Sequence, residues 1–330
     1  MKITVIVPTF RRPGNLLRCL DALKRQRVPA QEVLVAIRDD DPVTWATLMA
    51  WDHERLPLRL ISAGLLDASE ARNRCLDRAT GDLIALTDDD AAPRPQWLAQ
   101  IERRFAQDPG LGALGGPDWI GGRELPPEHR AQVVGKIQWW GRRIGNHHRG
   151  SAMPLRVEWL KGANVAFRRE ALGNRRFGHL LRGTGAQFGE DVAVSLELGA
   201  AGWVLEYDPD VAVDHFPGEL PGGADHRTLA DPASLLDASH NETAVLLGYL
   251  MPARRIAFLL WATLVGTRLL PGILMGLFLT LTLLRLAPLR RSRVVLRGRL
   301  EGWRTWRAAQ PGPTHDLTRV PGRRQPAPTA

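Results

Sequence analysis

Cysteine is nearly missing from this chain: its 330 residues hold only Cys19 and Cys75. Two thiols in helix-like surroundings exclude a disulfide framework and a zinc cluster, and they point to a reducing compartment. A long apolar run is also missing from the start, where MKITVIVPTF offers five strand-like residues before a proline. That is too short for the core of a signal peptide, so the main body is expected in the cytoplasm.

A basic surplus is missing from the first 250 residues. Of a net charge of +9, the stretch from residue 251 onward carries 14 Lys+Arg against 2 Asp+Glu, which leaves 30 against 33 for residues 1–250. The arginines lie beside IAFLLWATLVG and LLPGILMGLFLTLTLL rather than in polar sequence. Such a neighbourhood favours anionic lipid and argues against nucleic acid as a partner. No internal repeat is visible.

What is present begins with an apolar content of 44%, enough for a sizeable core. The runs ITVIV (3–7), VLVAI (33–37), LRLI (58–61) and LIAL (83–86) read as strands; Leu16, Leu17, Leu20 and Leu23 mark a helix after the first, and residues 70–79 suit another before the fourth. This alternation predicts an α/β fold with a mostly parallel sheet flanked by helices. Ligands of such sheets sit beyond the C-terminal strand ends. Thr9–Pro13, Asp39–Asp41 and Asp88–Asp90 each follow one of these strands and should gather along one edge. Further on, NVAF, WVLEY and VAV (211–213) read as strands and DVAVSLELGAAG as a helix, while RAQVVGKIQWWGRRI (130–144) suits a short helix carrying Trp139 and Trp140. Residues 218–235, rich in Gly, Pro and Asp, read as a linker.

Three adjacent carboxylates, Asp88, Asp89 and Asp90, repel one another unless water screens them or a cation sits among them. A solvated acidic turn is one reading; the other is a site for a hard divalent cation such as Mg2+ or Mn2+, which takes oxygen ligands and leaves positions open for phosphate. Arg72 and Asn73 open a helix where a phosphate or ribose would be met. Glu190 and Asp191 open another after Gly189, where acids also serve the helix dipole.

VIVPTFRRP, IRDDD, ARNRCLDRATGDLIALTDDDAAPRPQWL, WLKGANVAFRREAL and GED before a helix resemble, in order and spacing, the family 2 glycosyltransferases of the GT-A fold, over about residues 1–216. The resemblance implies an inverting, hexosyltransferase-like enzyme that takes a sugar from a nucleotide-diphosphate donor, a UDP-sugar being favoured, with Mn2+ or Mg2+ and no covalent intermediate. It assigns Pro8 and Thr9 to the loop under the nucleotide and Asp39 or Asp40 to the base. Arg72 and Asn73 fall to the base and phosphates, Asp88 to the ribose and metal, and Asp90 to the metal. Asp191 takes the place of the general base and Glu190 that of its acidic partner; His215 is a further metal ligand. His147 and His148, with Trp139 and Trp140, fall in the acceptor-facing region, core packing being the expectation for at least one of the tryptophans. Two other readings are a membrane-bound nucleotide-sugar-binding protein without catalysis and a sugar nucleotidyltransferase. The intact acidic set opposes the first, and the lack of a Gly-rich loop with a lysine after the first strand opposes the second.

Residues 256–284 form a 29-residue apolar stretch interrupted by Arg268 and Pro271. It reads as a kinked span or, preferably, a pair of shallow helices, with the arginines of 285–307, Trp303 and Trp306 in the headgroup zone on the cytoplasmic side. The expected organisation is a GT-A domain over 1–240, membrane-associated helices with a basic flank over 241–310, and a disordered tail over 311–330. A catalytic domain on the cytoplasmic side of the cell membrane implies a lipid, lipid-linked or polysaccharide acceptor and a place in cell-envelope polysaccharide biosynthesis.

Overall fold

β1 (Ile3–Thr9), α1 (Pro13–Lys24), β2 (Glu32–Ile37), α2 (Pro42–Ala50), β3 (Leu58–Ser62), α3 (Ala68–Arg78) and β4 (Leu83–Thr87) alternate in a computed structural model of the chain, with the four strands and two of the helices, α1 and α3, where the apolar pattern predicts them and α2 in addition. The structure describes residues 1–309 apart from 66, 179, 184–186, 219–228 and 230. Next come β5 (Ala91–Pro93), α4 (Trp97–Gln107), β6 (Leu111–Gly115), β7 (Asp118–Ile120), β8 (Lys136–Ile137), β9 (Arg143–Ile144) and β10 (Leu155–Arg156). They are followed by β11 (Asn164–Arg168), α5 (Arg169–Leu172), α6 (Glu190–Ala200), β12 (Val204–Tyr207) and β13 (Val213–His215). Four helices close the described chain: α7 (Pro232–Tyr249), α8 (Pro252–Leu264), α9 (Ile273–Leu283) and α10 (Ala287–Ala309).

The main sheet runs β10-β12-β6-β11-β4-β1-β2-β3. β3, β2, β1 and β4 are parallel, whereas β11 lies antiparallel to both β4 and β6. The expectation of a mostly parallel sheet therefore holds for the first half, and the second half is mixed. β1, β2 and β4 are buried along nearly their whole length and largely apolar because helices cover both faces. Leu16 and Leu20 of α1 and Trp97, Ile101 and Phe105 of α4 fill one side; Ala71 and Cys75 of α3, Leu198 of α6 and Phe167 fill the other. Cys19 and Cys75 are buried, free and on opposite sides of the sheet.

A small sheet, β5-β13-β7, sits past the C-terminal end of β4. Its register places His215 opposite Ala91, the residue after Asp90, and aligns β7 alongside so that Asp118 faces Val213. Parallel strands thus gather the turns, and this short sheet delivers the histidine.

Several expectations are corrected. Residues 130–144 form no helix: Gly135 and Gly141 have φ of 58° and 84°, outside helical space, and β8 and β9 make a hairpin. Trp139 and Trp140 sit at its tip, 61% and 37% exposed, so neither packs in the core. His147 is buried against Trp159 and Tyr207 rather than facing an acceptor.

The apolar stretch 256–284 is not one kinked span. It splits into α8 and α9 at a turn closed by a Gly266–Pro271 bridge, with φ of 67° at Gly266. No described helix is long and apolar enough to cross a membrane. The basic flank, expected in a headgroup zone, forms α10, which lies along α7; a Cβ at Gly298 or Gly302, one turn apart, would collide with α7. The 240/241 boundary falls inside the continuous helix α7. The tail 311–330 and most of the expected linker 218–235 lie outside the described residues.

Candidate active site

The turns after β1, β2 and β4 meet as their strand ends require. Asp89, the middle acid of the triplet, points inward: it is 1% exposed, accepts a 2.7 Å hydrogen bond from the Thr9 hydroxyl and pairs with Arg12 at 2.8 Å. Burial pushes its carboxyl up to about 7 against the pull of Arg12 and Thr9. Arg12 also reaches Asp90 at 2.9 Å. The Thr9 side chain, assigned to the nucleotide loop, is therefore committed to bracing the acidic turn, while Pro8 lies in β1 paired with Ala36.

Asp88, Asp90 and His215 each present a donor atom, all within 4.8 Å of one another. His215 Nε2 lies 3.1 Å from Asp90 and its Nδ1 lies 3.0 Å from Asp118. Burial alone would lower the His215 pKa, but the two carboxylates outweigh it and raise it to about 9. Two carboxylates and an imidazole fit Mn2+ or Mg2+, and the Asp118 contact is the kind of second partner that orients a ligating histidine. Lys161 closes the row by pairing with Asp118.

On the opposite flank Arg72, 11% exposed, donates to Glu190 at 2.7 Å and reaches Asp88 at 3.5 Å. This one side chain ties the start of α6 to the acidic turn, so residues a hundred positions apart meet at one place. Asp191 accepts from its neighbour Val192 N–H at 2.8 Å and lies 3.4 Å from Gly162 N. Burial raises the Asp191 pKa, while Arg143, the two amides and Lys161 temper the rise. Glu190 is raised by burial as well, against the charge of Arg72.

Asn73 departs from its assignment. Its amide donates to Phe177 O at 3.0 Å and accepts from Phe177 N at 2.9 Å, a buried bracket with both ends used by the protein. After β2, Asp40 is gripped by Arg38 at 2.8 and 3.0 Å, whereas Asp39 is exposed and accepts only from Ser62 at 2.6 Å among the described residues.

Sequence reasoning missed Arg12, Asp118, Lys161 and Arg143. Asp118 sits in GGPDWIGG, whose glycines read as loop, and only its pairing with β13 brings it to His215. Lys161 lies in WLKGAN and Arg12 in TFRRP, both within recognised stretches, where a cation near an acid triplet was the available signal.

The family model described as "Glycosyl transferase family 2" matches residues 4–175. The chain is 30% identical over 226 residues to the succinoglycan biosynthesis protein ExoM of Rhizobium meliloti, covering 64% of this chain and 66% of that protein. It is 30% identical over 106 residues to the glucosyl-dolichyl phosphate glucuronosyltransferase of Haloferax volcanii, or 31% of each. The matches thus span less than two thirds of both relatives. Among solved structures, the mannosyltransferase PcManGT from Pyrobaculum calidifontis, in complex with GDP-Man and Mn2+, superposes with a TM-score of 0.55 at 19% identity, covering 92% of this chain and 87% of that one. S. aureus TarS 1-349 in complex with UDP-GlcNAc gives 0.59 at 14% identity, with 93% and 90% covered. These likenesses show an α/β GT-A-like fold.

Proposed function

The chain belongs to glycosyl transferase family 2, and from that premise we propose that it is an inverting, divalent-metal-dependent enzyme that moves a sugar from a nucleotide-diphosphate donor. The observation that carries the reading is the convergence of Asp88, Asp90 and His215 within 4.8 Å at the C-terminal edge of the parallel strands. These residues would hold Mn2+ or Mg2+, which when bound supplies Lewis-acid stabilisation to a departing diphosphate.

The other residues have separable tasks. Asp39, with an exposed carboxylate at the end of β2, is the better placed of the two candidates to meet a base edge. Arg72 lends positive charge beside Asp88 and holds α6 through Glu190. Asp191 takes the proton of the acceptor hydroxyl; burial moves its pKa upward, toward the range in which a base is both ionised and proton-hungry. Because it comes from α6 rather than the acidic turn, it can act from the side opposite the leaving group, as inversion needs.

The acceptor is a lipid, lipid-linked sugar or polysaccharide at the cytoplasmic face of a membrane. Supporting this, Leu277, Phe278, Leu281 and Leu284 of the α9 region are exposed, as are Ile256 and Leu260 of α8. Patches of that kind on a soluble surface mark a binding face. The succinoglycan and dolichyl-phosphate relatives are named for polymer and lipid-linked sugars.

The test is transfer or donor hydrolysis by purified protein against a panel of UDP- and GDP-sugars, with Mn2+, Mg2+ or chelator, and NMR of the product anomer. Inverted product, loss of activity on chelation and loss in Asp90→Ala support the reading. Full activity with chelator or in Asp90→Ala refutes the metal site. Donor binding without turnover across the panel would leave a binding protein instead.

A further inference from the structure

His240, Asn241, Glu242 and Thr243 are consecutive polar residues in the middle of α7, and His240, Asn241 and Thr243 are fully buried. Such a run is unfavourable unless its groups find partners. Asn241 Nδ2 donates to Arg182 O at 2.9 Å and Phe188 O at 3.1 Å, and its Oδ1 accepts from Arg182 N at 2.8 Å. His240 Nδ1 lies 2.9 Å from the same Oδ1, which puts its proton on Nδ1 and lets Nε2 accept from the Thr305 hydroxyl at 2.8 Å. Burial lowers the His240 pKa and keeps the ring in that neutral form.

Phe188 immediately precedes Gly189, which caps α6 with φ of 88°, and Glu190 and Asp191 follow. A second chain of contacts runs alongside. Arg299 of α10 pairs with Glu242 at 3.2 Å, Glu242 with Arg143 of β9 at 3.2 Å, and the Arg143 guanidinium lies 4.9 Å from the Phe188 ring centre. Both chains start on α10, pass through α7 and end at the approach to Asp191.

We propose that Asn241 is a positioning residue for Asp191, and that the α7–α10 layer is the scaffold of the catalytic base rather than an appendage to the sheet domain. This rests on the reading of Asp191 as the base. The charges facing Asp191 are Glu190 on its own helix, Arg72 on α3, Arg143 on β9 and Lys161 ahead of β11. Loosening Phe188 lets α6 shift against these charges and admits water to the carboxylate.

The decisive variant is Asn241→Leu, which keeps the volume and removes every hydrogen bond. Expected are a fall in kcat of about 100-fold, an unchanged donor KM, an acidic limb of the kcat profile moved to lower pH as Asp191 hydrates, and faster amide exchange over residues 188–192. A folded Asn241→Leu enzyme with wild-type kcat and pH limb overturns the proposal. If that variant does not fold, Thr305→Val, one contact further out and half-buried, decides: the same changes in smaller measure support it, and unchanged kcat and limb overturn it. Asp191→Asn run alongside separates the two readings: retained transfer there removes the base assignment and this proposal with it, whereas lost transfer there beside an unchanged Asn241→Leu overturns the positioning role alone.

Discussion

The sheet around β1, β2 and β4 and the helical layer α7–α10 handle polarity in opposite ways. The sheet encloses Val5, Val7, Val35 and Leu86 and carries Asp88 and Asp90 just past the C-terminal end of β4. The helical layer encloses His240, Asn241, Thr243 and Arg299 and turns Leu277, Phe278, Leu281 and Leu284 outward. Hydrophobic burial therefore accounts for the first region, whereas the second gains its specificity from paired polar groups inside and leaves its apolar surface for something other than water.

The sharpest way to break that comparison is where α6 meets the acidic turn. Asp191→Asn should lower kcat by about 10² to 10⁴, the range of general-base catalysis, while thermal melting stays at or above wild type because a buried charge is removed. A variant that melts early would mean Asp191 is chiefly structural. Next, Arg299→Ala should destabilise by about 3 kcal/mol in denaturant titration, the low end for breaking a buried pair because Arg143 remains with Glu242. A cost below about 1 kcal/mol, the level of an exposed pair, would show that the helical layer does not depend on its polar interior.

The outward face is probed by Phe278→Glu with Leu281→Glu. Binding to anionic vesicles should weaken by at least tenfold, from roughly 1.5 kcal/mol or more per apolar side chain, with melting unchanged; equal vesicle binding would show that this face does not meet lipid. The smallest effect belongs to the sheet. Glu32 is buried, and although burial favours the neutral acid, Thr80, Thr4 and Arg59 together hold its pKa below the usual carboxylate range. A depressed folded pKa contributes stability above the unfolded value, and that stability fades as pH falls through the folded one. Glu32→Gln should thus cost about 1 kcal/mol at neutral pH, with the gap to wild type closing under acid; a gap independent of pH would reassign the loss to packing.

The alternation of ITVIV, VLVAI, LRLI and LIAL with helix-like segments made the parallel half of the sheet legible, because strands covered by helices on both faces are mostly apolar. The meeting of Asp88, Asp90 and His215 was legible in part for a related reason, since acids and a histidine at strand ends stand where ligands gather. Legibility stopped where tertiary pairing decides. The antiparallel direction of β11 leaves no mark on NVAF, and the hairpin over 136–144 depends on two glycines in left-handed geometry within a sequence that otherwise suits a helix. Asn73 shows a different limit, since an amide facing a ligand and an amide bracketing Phe177 are the same letter in the chain. The arginines of α10 gave no sign of the docking on α7 that Gly298 and Gly302 permit, which buries one of them, Arg299.

Asp89 has a consequence for how such chains can diverge. Wedged between the Thr9 hydroxyl and the Arg12 guanidinium, it welds two turns that lie about 80 positions apart in the polypeptide. Loss of the cation alone would strand the buried acid, whereas loss of the acid alone would leave the cation its second partner, Asp90, so the acid is the member that cannot stand by itself. Descendants that keep the acid should keep the cation, and an alignment in which position 12 drifts while position 89 stays acidic would show that the weld is dispensable.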